Sequence, residues 1–139
     1  MAAAQRVGRP FWRAARIPTE PGAPFDLLHF AHDFSAAQAI LLDAHVQGYG
    51  GGGKTFDWSR LPPNVAAHLV LSGGLTPANV GDGLRALRGR GISLAVDVSS
   101  GVEALAEDGK PLKGIKDASK IDQFIRAVRA ADALIASTP

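Results

Sequence analysis

Two short segments hold most of the residues that could do chemistry in this chain of 139 residues. They are Leu69-Val70-Leu71-Ser72-Gly73-Gly74-Leu75 and Leu94-Ala95-Val96-Asp97-Val98-Ser99-Ser100-Gly101-Val102-Glu103. Each is an apolar run that passes into small Gly/Ser residues and then toward a helix. Turns of that composition leave backbone N–H groups unpaired and pointing outward, and a helix start adds partial positive charge. The two segments therefore read as an anion site, most simply one for phosphate; taken singly, each also fits a plain tight turn. Asp97 ends the second strand-like run, and Asp43 ends another, Ala39-Ile40-Leu41-Leu42. On local sequence alone, Asp43 fits a turn cap after a strand.

A second glycine-rich stretch invites a different reading. Gly48-Tyr49-Gly50-Gly51-Gly52-Gly53-Lys54-Thr55 matches the nucleotide-binding pattern G-x-x-x-x-G-K-[ST]. That chemistry needs a helix starting at the Lys-Thr pair, so that its dipole faces the phosphates. Here Phe56-Asp57-Trp58-Ser59-Arg60 follows and then Pro62-Pro63, which leaves room for about one turn. The strand before it also ends in the carboxylate of Asp43. A glycine loop lying over a site is the simpler assignment. Histidine chemistry has little to stand on: His29 and His32 share a helical face without a third ligand, and His68 opens a strand. His45 lies two residues beyond Asp43, near the same strand end.

Composition closes several routes. There is no cysteine, so disulfides, thiolate metal sites and cysteine nucleophiles are excluded. The 15 basic and 13 acidic side chains give a net charge of +2, which offers nothing for nucleic-acid binding. No metal and no cofactor is expected. No apolar run approaches the roughly 20 residues of a membrane span. Residues 1–19 carry four arginines and no acid but no serine, short of a transit-peptide composition, so the cytoplasm is the expected location.

The elements that must position these residues follow from periodicity. Strand patterns are predicted over 11–17, 39–43, 67–73 and 92–98, with starts 28, 28 and 25 residues apart. Helical patterns fall over 25–37, 77–88 and 118–131, the second with Thr76 as N-cap and Pro77 in its first position. Ile121, Phe124, Ile125 and Val128 make one apolar helix face. Strands alternating with helices give a parallel sheet joined by crossovers. A (β/α)8 barrel of about 250 residues needs about 125 for four units, and adjacent anion loops match the phosphate site after its last two strands. The expected fold is α/β, four parallel βα units forming the C-terminal half of such a barrel. A four-stranded open sheet is the rival, and it requires helices on both faces.

Several segments, read in order, resemble one family. They are Leu41-Leu42-Asp43-Ala44, Gly51-Gly52-Gly53-Lys54-Thr55-Phe56-Asp57-Trp58, Leu71-Ser72-Gly73-Gly74-Leu75 and Ala78-Asn79-Val80. Val96-Asp97-Val98-Ser99-Ser100-Gly101-Val102-Glu103 and Gly114-Ile115-Lys116-Asp117 complete the set. From about residue 8 to residue 133 their order and spacing resemble phosphoribosylanthranilate isomerase, the tryptophan-pathway enzyme that performs an Amadori rearrangement on one (β/α)8 barrel. The matching portion is strands five to eight.

The resemblance implies roles. Asp43 stands where the family has its general acid, which protonates the ribose ring oxygen and opens the sugar to a Schiff base. A partly desolvated carboxylate at a barrel mouth suits that task. Ser72, Gly73, Gly74, Ser99, Ser100 and Gly101 would bind the substrate phosphate, chiefly through backbone N–H groups, and Asp97 would line the pocket near the reacting end. Gly50 to Lys54 corresponds to a cover over the site, Phe56 and Trp58 to core anchors, and Asp117 to a helix cap.

The same resemblance marks two departures. Residues 104–113 exceed the usual connection and are expected to be a surface insertion, with residues 1–10 as a lead-in to a single domain. The family's general base is a cysteine on strand one, and an arginine on strand two holds the anthranilate carboxylate. Neither position lies within the matching portion. The expectation is a partial barrel that works with a complementary N-terminal half and has no substantial isomerase activity alone. The alternative is a non-catalytic half-barrel that self-associates and binds phosphorylated ligands.

Overall fold

A computed structural model describes residues 8–20, 22–45 and 55–136. Four strands form one parallel sheet: β1 (Trp12–Pro18), β2 (Ala39–His45), β3 (His68–Leu71) and β4 (Ser93–Val96). Their spatial order is β1-β2-β3-β4, so each strand adds beside the one before it. Helices α1 (Leu27–Asp33) and α2 (Val80–Leu87) follow β1 and β3, and α3 (Ala118–Ala136) closes the described chain. Between β4 and α3 stands an antiparallel hairpin, β5 (Glu103–Leu105) and β6 (Pro111–Lys116). Among the described residues no helix is long and apolar enough to cross a membrane.

Alternation along the strands explains the layering. Side chains of successive residues point to opposite faces. Ala15, Ile17, Ile40, Leu42, Leu69 and Leu71 are buried on one face, in a single cluster with Leu27 and Ala31 of α1, Val80, Leu84 and Leu87 of α2, and Phe124 and Ala131 of α3. Each fully buried leucine or isoleucine contributes about 1.5–3 kcal/mol relative to exposure. The opposite face carries Trp12, Ala14, Arg16, Ser93, Ala95 and Asp97, all exposed. All three described helices thus pack with one face, which departs from the open-sheet rival.

The ends of elements differ from the periodicity. Helix α1 is shorter than the predicted 25–37 because Asp26 caps it, accepting the His29 N–H at 2.9 Å, and Phe34 ends it. Strand β2 runs on through His45, two residues past the predicted end. Strands β3 and β4 stop at Leu71 and Val96, so Ser72, Gly73, Asp97 and Val98 belong to the loops beyond them. Helix α3 continues to Ala136, past the predicted 131.

Thr76 does not cap α2 with its side chain. The helix starts at Val80 after a turn in which Asn79 Oδ1 accepts the Thr76 N–H at 2.8 Å. Asp117 caps α3, its Oδ1 accepting the N–H groups of Ser119 at 2.8 Å and Lys120 at 3.2 Å. Residues 104–113 make up most of β5, the turn and the start of β6. Phe56 is buried and Trp58 packs on the core, as anchors do.

The nucleotide-binding pattern, 48–55, lies outside the described residues except for Thr55. Thr55 to Asp57 are not helical, and a 3-10 turn, Trp58–Arg60, follows. Asp57 caps that turn by accepting the Ser59 N–H at 3.0 Å and its hydroxyl at 2.7 Å, which holds the Asp57 carboxyl below the usual range. Among the described residues no helix begins at Thr55.

Candidate functional site

The sheet register aligns four polar residues across its C-terminal ends. Arg16 of β1 lies opposite Asp43 of β2. Leu42 pairs with Leu71 and Leu71 with Val96; one residue further, this places Asp43 beside Ser72 and Ser72 beside Asp97. The Ser72 N–H donates to the Leu42 carbonyl and the Asp97 N–H to the Leu71 carbonyl, both at 2.9 Å, so the ladders extend into this row. By strand alternation, Arg16, Asp43, Ser72 and Asp97 all occupy the face the helices leave uncovered. Ser72 Oγ donates to Asp97 Oδ2 at 2.9 Å and orients that carboxylate.

This geometry changes the part expected of Ser72. Its N–H and its hydroxyl are both engaged within the protein, which leaves no donor for a phosphate. Ser72 instead orients Asp97.

Gly73 and Gly74 have φ of +78° and +68°, a left-handed succession that other residues adopt only with strain. Asn79 Nδ2 donates to the Gly74 carbonyl at 3.0 Å and holds the loop from the start of α2. A Cβ at Gly73 would stand 2.5 Å from the Ala44 nitrogen and 2.7 Å from Asp43 Oδ1. The glycine loop therefore lies directly against the Asp43 carboxylate. A Cβ at Gly101 would overlap the Leu75 carbonyl oxygen, so the second loop presses on the first backbone to backbone.

The second loop is held from the hairpin. Ser99 precedes a 3-10 turn, Ser100–Val102, and its side chain makes no capping bond. Lys116 Nζ, at the end of β6, donates to the Ser99 carbonyl at 2.8 Å and to Glu103 Oε1 at 3.2 Å. Glu103 is 7% exposed and also accepts the Gly114 N–H at 2.9 Å. The Gly114 bond and then the Lys116 ammonium hold the Glu103 carboxyl below the usual glutamate range, against burial, which pushes it up.

A depressed carboxyl favours the folded hairpin at neutral pH and withdraws that support as pH falls through its lowered value. Gly114 amide protection is therefore expected to persist at pH 6 and to fall on acidification below the ordinary glutamate range. Hydrogen exchange measures it, and Glu103→Gln should flatten the pH dependence.

The remaining candidates lie apart from this row. His29 is exposed, 3.4 Å from Asp33, and His32 is exposed beside it. His68 Nδ1 stands 2.7 Å from Ser93 Oγ at the opposite, N-terminal end of the sheet. A concavity there, bordered by Trp12, Ala39, His68 and Ser93, contains neither Asp43 nor Asp97. The side chain of His45 falls outside the described residues. Among the described residues no group of three or more His, Asp or Glu is placed to hold a metal ion.

Arg16, Asn79 and Lys116 join this arrangement without having stood out as site residues in the sequence. Strand parity is the only signal that could have found Arg16. Asn79 and Lys116 lie within matched segments, but their partners are set by tertiary contact.

Chemically, the arrangement offers two carboxylates, one oriented by a hydroxyl, beside two glycine-containing loops. Known proteins resemble this chain in sequence and fold. The family model for N-(5'-phosphoribosyl)anthranilate (PRA) isomerase matches residues 6–127. N-(5'-phosphoribosyl)anthranilate isomerase of Methylibium petroleiphilum is 57% identical over 132 residues, covering 95% of this chain and 55% of the relative. That of Leptothrix cholodnii is 59% identical over 126 residues, covering 91% and 50% respectively. The crystal structure of phosphoribosyl anthranilate isomerase from Thermotoga maritima aligns with a TM-score of 0.62 at 31% identity, over 92% of this chain and 56% of that one. The chain spans about half the length of the curated relatives it matches. With the matched model covering most of its residues, the chain belongs to the N-(5'-phosphoribosyl)anthranilate isomerase family.

Proposed function

We propose that this chain supplies the general acid and the phosphate clamp of a phosphoribosylanthranilate isomerase, as strands five to eight of its (β/α)8 barrel. The observation that carries this reading is the contact of the Gly73 loop with the Asp43 carboxylate, at the C-terminal ends of sequentially ordered parallel strands. Barrel active sites occupy that end, with phosphate held after the last two strands. The sheet's uncovered face and its two edge strands, β1 and β4, are the surfaces a complementary half would close.

In this reading the phosphate of N-(5-phosphoribosyl)anthranilate is held by the N–H groups of Gly73, Gly74, Ser100 and Gly101, with Ser99 completing the loop. That anchor fixes the ribose over the carboxylates. Asp43 gives its proton to the ring oxygen as the C–O bond to the anomeric carbon breaks, and the nitrogen lone pair forms the Schiff base. A base on the complementary half then takes the proton from the adjacent sugar carbon. The electron pair moves to make an enol amine, and ketonisation gives the 1-deoxyribulose phosphate product. Asp97, oriented by Ser72, lines the sugar near these atoms.

The test is to mix this chain with a polypeptide carrying the preceding four units and their strand-one cysteine, and to follow substrate conversion. Turnover is expected from the mixture and not from either part. Robust turnover by this chain alone, or a mixed complex that forms without turnover, would overturn the reading. Self-association of the chain with phosphate binding and no turnover in any mixture would favour the non-catalytic half-barrel.

A further inference from the structure

The hairpin β5–β6 has no part in the reaction just described, yet its last residue reaches the site. Lys116 Nζ donates to the Ser99 carbonyl at 2.8 Å, to Ser99 Oγ at 3.5 Å and to Glu103 Oε1 at 3.2 Å, using all three of its donors. The corner is braced again from α3, where Lys120 Nζ donates to the Glu103 carbonyl at 2.7 Å. The Asp117 N–H donates to the Val102 carbonyl at 2.8 Å. These bonds hold the backbone on both sides of the Ser100–Val102 turn.

A peptide unit is planar and trans, so its carbonyl and the following N–H point in opposite directions. With the Ser99 carbonyl drawn to Lys116, the Ser100 N–H must point away from the hairpin. Gly101, the next residue, is pressed against Leu75 of the other glycine loop. The ammonium is itself kept in place by a buried carboxylate, so it serves as a fixed strut.

We propose that Lys116 is a positioning residue of the anion site, aiming the Ser100 and Gly101 N–H groups at the ligand through its grip on the Ser99 carbonyl. The inference rests on the phosphate reading of the two loops. It gives the 103–116 hairpin a function, as the support that sets the geometry of the second loop.

Titration of the full chain with inorganic phosphate, followed through backbone amide NMR shifts, tests it in wild type, Lys116→Met and Lys116→Arg. Methionine keeps an unbranched apolar stem and removes the donor. It should weaken phosphate by about tenfold, the scale of one charge-assisted hydrogen bond, and move the Ser100 and Gly101 amide signals before any phosphate is added. Lys116→Arg should recover affinity to within about threefold of wild type, because it restores charge and donors. Lys116→Met binding phosphate as wild type does, or Lys116→Arg binding no better than Lys116→Met, would overturn the inference. If Lys116→Met loses its dispersed spectrum, Lys116→Gln gives a shorter, uncharged polar side chain in its place, and wild-type phosphate affinity there would overturn the inference too. Wild type that shows no phosphate response at Gly73, Gly74, Ser100 or Gly101 would sink the phosphate reading itself, and this inference with it.

Discussion

Asp43→Asn is expected to lower turnover of the chain paired with its complementary half by about 10²–10⁴-fold, the usual contribution of a positioned general acid. Asparagine is nearly isosteric, so it still fits beside Gly73, whose Cα leaves no room for a larger group against Asp43 Oδ1. It can donate a hydrogen bond to the ribose ring oxygen, but it has no proton to give as the C–O bond breaks. Turnover should therefore fall while KM changes little, the pattern of an interaction made only in the transition state. Phosphate titration of the variant should match wild type, because the substitution leaves the N–H groups of both glycine loops in place. Full turnover with a lowered melting temperature would instead make Asp43 a strand-end residue and remove it from the chemistry.

The second large effect is expected from Gly101→Ala. The added methyl group would overlap the Leu75 carbonyl oxygen and stand 2.9 Å from the Leu75 carbonyl carbon and 3.2 Å from the Thr76 Cα. These are backbone atoms, so no rotamer change relieves the clash and the two loops must separate. A bound phosphate that spans both loops would lose its second set of donors. The expected result is loss of inorganic phosphate binding by about 100-fold, two or more charge-assisted hydrogen bonds, with about 1–3 kcal/mol of destabilisation from overpacking. Gly109→Ala is the control. Its φ of +80° also strains alanine, but nothing lies within 4 Å of the new methyl group. It should cost about 1 kcal/mol and leave phosphate binding intact. Gly101→Ala with wild-type phosphate affinity would show that the two loops do not act on one anion.

Much of the candidate site was legible because it is written in short segments. Gly73-Gly74 can take the left-handed backbone seen here without steric cost, and Asp43 follows a run of β-forming residues. Pro62-Pro63 sufficed to argue against a nucleotide-binding helix after Lys54-Thr55, and a 3-10 turn stands there. Element ends were less legible, since they turn on which polar group wins a cap. Thr76 and Asn79 are both able to cap, yet neither side chain caps α2: the Asn79 amide is taken up by the Thr76 N–H and the Gly74 carbonyl of the preceding turn. The hairpin was harder still. Its residues are polar and broken by glycine and proline, and only the pairing of Glu103 with Lys116, 13 residues away, reveals two strands.

By itself, then, the amino-acid sequence determined the alternation of strand and helix, the glycine loops at two strand ends and the resemblance that names the family. These depend on periodicity and on backbone angles, which neighbouring residues impose. The tertiary structure alone decided that Ser72 spends its hydroxyl on Asp97, that Arg16 stands beside Asp43, and that Lys116 grips the Ser99 carbonyl. Each is a meeting of residues far apart in the chain, or on different strands. Such meetings follow from sheet register, and register is set when the buried faces of all the elements pack together.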